Sequence, residues 1–241
     1  MKRLLLTLLF VPLAVSAQNQ RKYVRFIPLG ELPPWKEELI DGVRVQQEAP
    51  PGAIVPKSIA IPDGEDDVRR VDLNLRQPTK LMAFSEGTTA LRLYKGEQAT
   101  GTPWLSSPMP TSKHSYGILF RDNANMTWDS PKLMMLRDDA QALPAGSIRF
   151  VNVSDHKTII KVGKKSEVIQ PGKSLVKELK EGANPILAGY YEKDGRVVMI
   201  FQNTVRLLKG QRVQAFFFKG QGVKPRTGVK FLSFPEPMPR P

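Results

Sequence analysis

The 241-residue chain has no cysteine and only two histidines, His114 and His156. Without thiols there are no disulfide staples, no thiolate nucleophile, no Fe–S cluster and no Cys-ligated zinc. The histidines sit in different halves and no pair has metal-ligand spacing, so they read as solvent-facing loop residues and no metal or other cofactor is expected. The Gly-x-Ser-x-Gly elbow, the Gly-x-Gly-x-x-Gly turn and the Walker loop are missing, which removes the commonest nucleophile and phosphate-binding signatures. Helical periodicity is nearly absent: the one candidate, Trp35 to Ile40, is a single turn opened by Pro34 and closed near Gly42.

What the chain does have begins with Lys2 and Arg3, an apolar run from Leu4 to Val15, and the small residues Ser16 and Ala17. That order predicts a secretory signal peptide over residues 1–17, cleaved after Ala17, and a protein that is periplasmic or extracellular. The run falls short of the roughly 20 residues that cross a bilayer, and no later stretch is apolar enough to do so. Beyond it, period-two patterning dominates, as in Val71, Leu73 and Leu75 or in KTIIKV from Lys157 to Val162, broken by Gly, Pro, Asn and Asp about every ten residues. Asp194-Gly195 between two such runs predicts a tight hairpin.

Charge divides the chain. Residues 18–143 carry 16 basic and 16 acidic residues, whereas 144–241 carry 18 basic and 7 acidic, with the step near Ala140 to Gly146. This predicts an N-terminal module over 18–143 that includes a Pro-rich strap from Glu31 to Pro62, a basic C-terminal module over 144–234, and a frayed Pro-rich tail over 235–241. A 69-residue offset lays Thr89 to Leu93 over Thr158 to Val162, an expectation of internal duplication. The fold class expected is all-β: two tandem β-sandwich (Ig-like) modules with almost no helix.

Candidate chemistry is thin. Asp63, Glu65, Asp66 and Asp67 crowd one loop and Asp122, Asn123, Asn125 and Asp129 another, but neither has the spacing of a calcium loop, and a solvated loop is the expectation. Phe216, Phe217 and Phe218 read mainly as packing, and Trp104 as the better candidate for an exposed aromatic. The strongest feature is cationic: Lys157, Lys161, Lys164, Lys165, Lys173 and Lys177, with Lys180, lie within 24 residues. Alternation sends Lys157 and Lys161 to one face and Thr158, Ile160 and Val162 to the other, while Gly163 to Ser166 forms a turn with Lys164 and Lys165 at its tip. Such a face concentrates anions, or it serves solubility and edge protection.

The runs LPAGSIRFVNVS (Leu143 to Ser154) and VGKKSEVIQPGKS (Val162 to Ser174) resemble the opening of small bacterial surface β-sandwich domains. FIPLGELPPW and APPGAIVP, in the first half, look like the front of secreted proteins of Verrucomicrobia-like bacteria. The resemblance implies an envelope β-sandwich and carries over no catalytic residue. Together these features predict an exported, non-catalytic binding or assembly protein. Its cationic module would engage an anionic glycan, lipid headgroup or acidic protein, with no intracellular nucleic acid as partner. The alternatives are a carbohydrate-active enzyme using loop carboxylates such as Asp122 or Asp129, and a structural subunit joined by strand addition.

Overall fold

The computed structural model describes residues 21–238, except 35, 65–66, 123, 125–126, 180–183, 222–224 and 226. The expected signal peptide lies outside the described residues. The first half holds β1 (Lys22–Leu29), β2 (Glu37–Ile40), β3 (Val43–Gln46), β4 (Ser58–Asp63), β5 (Asp67–Asp72), β6 (Met82–Phe84), β7 (Ala90–Lys95), β8 (Leu105–Pro108), β9 (His114–Phe120) and β10 (Lys132–Arg137). The second holds β11 (Ser147–Asn152), β12 (Thr158–Val162), β13 (Lys165–Ile169), β14 (Lys173–Glu178), β15 (Ile186–Lys193), β16 (Arg196–Thr204), β17 (Gln211–Lys219) and β18 (Val229–Pro237). The protein is all-β, with no helix among the described residues.

Of the helical turn expected at Trp35 to Ile40, Glu37 to Ile40 is instead strand: β2 pairs with β3 across Asp41-Gly42, both at positive φ (50° and 79°). Asp194-Gly195 repeats that geometry (50° and 72°) between β15 and β16, as predicted. Two consecutive residues at positive φ match the right-handed twist of a two-residue hairpin, and Asp-Gly tolerates them.

Four sheets follow, in the orders β6-β1-β9-β10, β5-β4-β7-β8, β14-β11-β17-β18 and β13-β12-β15-β16. The halves share one plan, strand for strand, and each contains one parallel pair, β1 with β9 and β11 with β17. The hairpin β2–β3 is the addition peculiar to the first half. The 69-residue offset is thereby corrected: it lays β7 on β12, whereas the sheet neighbours of β7 make it the counterpart of β15 and those of β12 make it the counterpart of β4. Any two period-two strands can be overlaid, and only pairing partners settle which are equivalent.

Alternation splits each inner strand between two interiors. In β1, Val24 and Phe26 join Ile59, Ile61, Phe84, Leu91, Leu93 and Trp128 in the core of the first sandwich, while Ile27 and Leu29 face away from it. In β17, Val213, Ala215 and Phe217 join Ile148, Phe150, Ile160 and Leu187 in the second core, while Phe216 and Phe218 face away. The residues facing away meet one another: Ile27, Leu29, Tyr116 and Ile118 pack on Val151, Val153, Phe216 and Phe218 in a third apolar cluster. Both inner sheets are therefore covered on both sides, and β9, β11 and β17 are buried along nearly their whole length.

Of the tail expected to fray over 235–241, residues 235–237 are instead strand, and 239–241 lie outside the described residues. β18 carries the chain through Pro237, and Glu236 is buried between the halves. Asn152 and Ser154 of the FVNVS run have a structural task. The Asn152 amide donates to the carbonyls of His156 and Ile169, and its oxygen accepts from the backbone N–H and the hydroxyl of Ser154, clamping the β11–β12 loop.

Candidate functional site

The second half's outer sheet carries most of the lysines singled out above. Its core side holds Ile160, Ile169, Leu187 and Tyr191, so the alternate residues face solvent. Register aligns four of these across all four strands: Val168 opposite Ile159, Ile159 opposite Tyr190, and Tyr190 opposite Met199. Val168 is 57% and Met199 50% exposed, Ile159 and Tyr190 are half-buried, and Val197 extends the apolar strip at one end. Lys161 stands in the next cross-strand row, with Ser166, Ala188 and Gln202.

The six lysines do not form one face. Lys161 points to solvent beside the apolar row, as alternation predicts, and Lys164 sits in the turn with Gly163. Lys165 already lies in β13 opposite Val162, so the turn is shorter than the predicted Gly163 to Ser166. Lys173 and Lys177 belong to β14 in the inner sheet, where Lys177 pairs with Glu167 of β13 and ties the edges of the two sheets together. Lys157 lies 3.8 Å from Glu192. Among the described residues Lys161, Lys164, Lys165 and Lys173 make no ion pair; Lys161 stands in the row next to the apolar one, and Lys164 in the turn beyond it.

A second constellation joins the halves. Arg25 of β1 donates through both Nη atoms to Glu236 at 2.7 Å and through Nε to Asp138 at 2.9 Å. Arg212 of β17 donates to Asp138 at 2.6 Å and to Glu236 at 2.9 Å, and the Gln214 amide bridges the same two carboxylates. Arg149 adds a third guanidinium 3.8 Å from Asp138, and Arg25 lies 4.2 Å above the Tyr116 ring. Burial disfavours charge on Glu236, but hydrogen bonds and attraction from Arg25 outweigh it and hold the carboxyl below its ordinary range. Arg212 and Asp138 have no exposed side-chain surface, so the cluster is closed to ligands and works as a lock between sandwiches. The sequence signal for it was a charge inside an otherwise apolar strand, as in YVRFIPL, SIRFVN and RVQAFFF.

Several expected features are placed differently. His114 is buried in β9, its ring 5.1 Å from that of Tyr23, because β9 lies in a sheet covered on both faces. Asp63 is also buried: it accepts from the Ser85 N–H, the Thr88 hydroxyl and Arg69, and burial is outweighed by these bonds, so its carboxyl stays below the ordinary aspartate range. Glu65, Asp66, Asn123, Asn125 and Lys180 lie outside the described residues. Asp122 pairs with Lys132 and Asp129 with Lys95. No group of three metal-ligating side chains occurs among the described residues. Trp104 is not an exposed aromatic: it packs on the first core and its indole N–H donates to the Trp128 carbonyl. The Pro-rich strap borders a cleft of about 490 Å³ lined by Leu32, Pro33, Pro34, Pro50, Pro51 and Ile54.

No protein-family model matches the chain and no curated protein matches it. Among solved structures, one of a "putative cell adhesion protein" from Bacteroides eggerthii DSM 20697 is similar over 90% of this chain and 95% of that one, with 7% identity and a TM-score of 0.24. Another, of a "putative cell adhesion protein" from Bacteroides ovatus ATCC 8483, is similar over 92% and 99%, with 10% identity and a TM-score of 0.21. At these TM-scores the likeness carries no functional argument. The likeness to secreted proteins of Verrucomicrobia-like bacteria finds no support in them.

Proposed function

We infer that the chain is an exported, non-catalytic envelope or surface protein that binds an anionic partner through the outer sheet of its second half. The observation that supports this reading is the solvent-facing row Val168, Ile159, Tyr190 and Met199 with Lys161 in the next row and Lys164 in the turn beyond, neither ion-paired among the described residues. An apolar strip beside cations fits an acidic protein surface better than a bare polyphosphate or a glycan, since only the first also covers Val168 and Met199. The charges steer and orient the partner, and the strip contributes the burial.

The test is retention of the purified protein on immobilised poly-Glu across a salt series. Wild type is expected to be retained with steep salt dependence, and K161E/K164E/K165E to elute early with an unchanged thermal midpoint. K57E/R70E/R92E, the same change of charge in the first half, is expected to elute like wild type. Equal loss in both triple variants would reduce the effect to net charge and overturn the reading.

A further inference from the structure

The hairpin β2–β3 is the least covered element of the fold. All eight of its strand residues are exposed, and among the described residues each of its strands pairs only with the other. Directly opposed residues share a face, so Glu38, Ile40, Val43 and Val45 stand together on one side and Glu37, Leu39, Arg44 and Gln46 on the other. On the first side, Ile40 is 50%, Val43 63% and Val45 42% exposed, next to the Glu38 carboxylate and with Asp41 in the turn. Over residues 36–48 there are four acidic and two basic residues. A two-stranded sheet alone is marginally stable in water, so an element of this kind gains most from a surface that covers its apolar side.

That surface is present in the same chain. The second half's outer sheet offers Val168, Ile159, Tyr190 and Met199 beside Lys161, with Lys164 in the turn beyond, a strip of matching character with cations at one end. We propose that the acidic partner of this sheet is a second copy of the chain, whose β2–β3 hairpin lays Ile40, Val43 and Val45 on the Val168-to-Met199 row with Glu38 and Asp41 toward Lys161 and Lys164. The inference rests on the reading of the sheet given above and names its partner. Because the two surfaces differ, the contact is heterologous: each copy that offers its sheet still has a free hairpin, and association proceeds head to tail without closing on a pair. It also joins what differs between the halves, since the hairpin belongs to one and the cationic apolar sheet to the other.

Light scattering on the purified protein over a concentration and salt series tests this. The weight-average mass is expected to rise past twice the monomer with concentration and to fall back as salt is added. V43K/V45K, which alters only exposed hairpin positions, and K161E/M199E, which alters only the sheet, are each expected to remain monomeric. An equimolar mixture of the two is expected to reach twice the monomer mass and no more, because only one intact hairpin and one intact sheet can meet. A wild type that stays monomeric, a hairpin variant that associates like wild type, or a mixture that stays monomeric while wild type associates would overturn the proposal. Retention of the wild type on poly-Glu separates the two claims: if it persists while the wild type stays monomeric, the sheet binds a different acidic protein, and if retention also fails, the reading of the sheet falls too.

Discussion

The two halves are built on one plan of eight strands, yet they are unequal wherever that plan meets solvent. Their inner sheets are alike, buried on both faces and joined through Ile27, Tyr116, Val151 and Phe216. Their outer sheets diverge. In the first half a cross-strand row reads Arg70, Ala60 and Tyr94, with Arg92 exposed nearby, whereas the second half presents Val168, Ile159, Tyr190 and Met199. Four-layer stacking explains the difference: the inner faces must match each other, while the outer faces answer only to water or to a partner.

The largest effect expected comes from breaking the lock between the halves. R212A leaves Asp138 and Glu236 buried with one fewer guanidinium, and removal of one partner from a buried ionic cluster costs about 3 to 5 kcal/mol. The three tryptophans, Trp35, Trp104 and Trp128, all lie in the first half, so their fluorescence follows that half alone while circular dichroism follows both. Urea unfolding of wild type should give coincident curves by both signals. R212A should shift the midpoint down and separate them, and coincident curves at the wild-type midpoint would show that the halves do not depend on this cluster.

Next in size is a contrast between an inner and an outer strand. A Cβ at Gly117 of β9 would collide with the Phe26 ring, and one at Gly189 of β15 with the Phe201 ring. Phe26 is fully buried in a sheet covered on both faces, whereas Phe201 is only partly buried and can shift toward solvent. Overpacking typically costs 1 to 3 kcal/mol, so G117A is expected near ~3 and G189A near ~1 kcal/mol. Equal losses in denaturant midpoint would remove the distinction between inner and outer sheets.

That distinction marks where the sequence was legible. Alternation identified KTIIKV, RVVMIF and RVQAFFF as strands because each has at least one dry face. It could not say that β17 has two, since Phe216 and Phe218 look the same whether they face a second sandwich or a ligand. Arg25, Arg149, Arg212 and Glu236 were overlooked as a unit because their partners lie on strands far apart in the chain. Asp41-Gly42 carried the same signal as Asp194-Gly195, but Pro34 imitated a helix start and Gly42 a helix stop. Of the candidate site, Lys161 and Lys164 were visible as charge, whereas the apolar row beside them depends on register across four strands.

The smallest effect sharpens the comparison at a single carboxylate that the second half lacks. Asp63 closes β4 against the β6–β7 turn by accepting from the Ser85 N–H and Thr88 hydroxyl, with Arg69 on its other oxygen. Burial opposes its charge but these donors prevail, so its folded pKa lies below the ordinary 3.8. A carboxylate depressed in this way adds stability that is complete above its unfolded value and is lost as pH falls through its folded value. D63N keeps the shape and can still accept from Ser85, but loses the charge, which should cost roughly 1 kcal/mol near neutral pH. Because the asparagine amide does not titrate, the gap between variant and wild type should close as the pH is lowered below the ordinary aspartate range. Tryptophan fluorescence reads the change where it arises, in the first half, and a gap that persists at acid pH would mean that the second acceptor oxygen, not the charge, holds this turn.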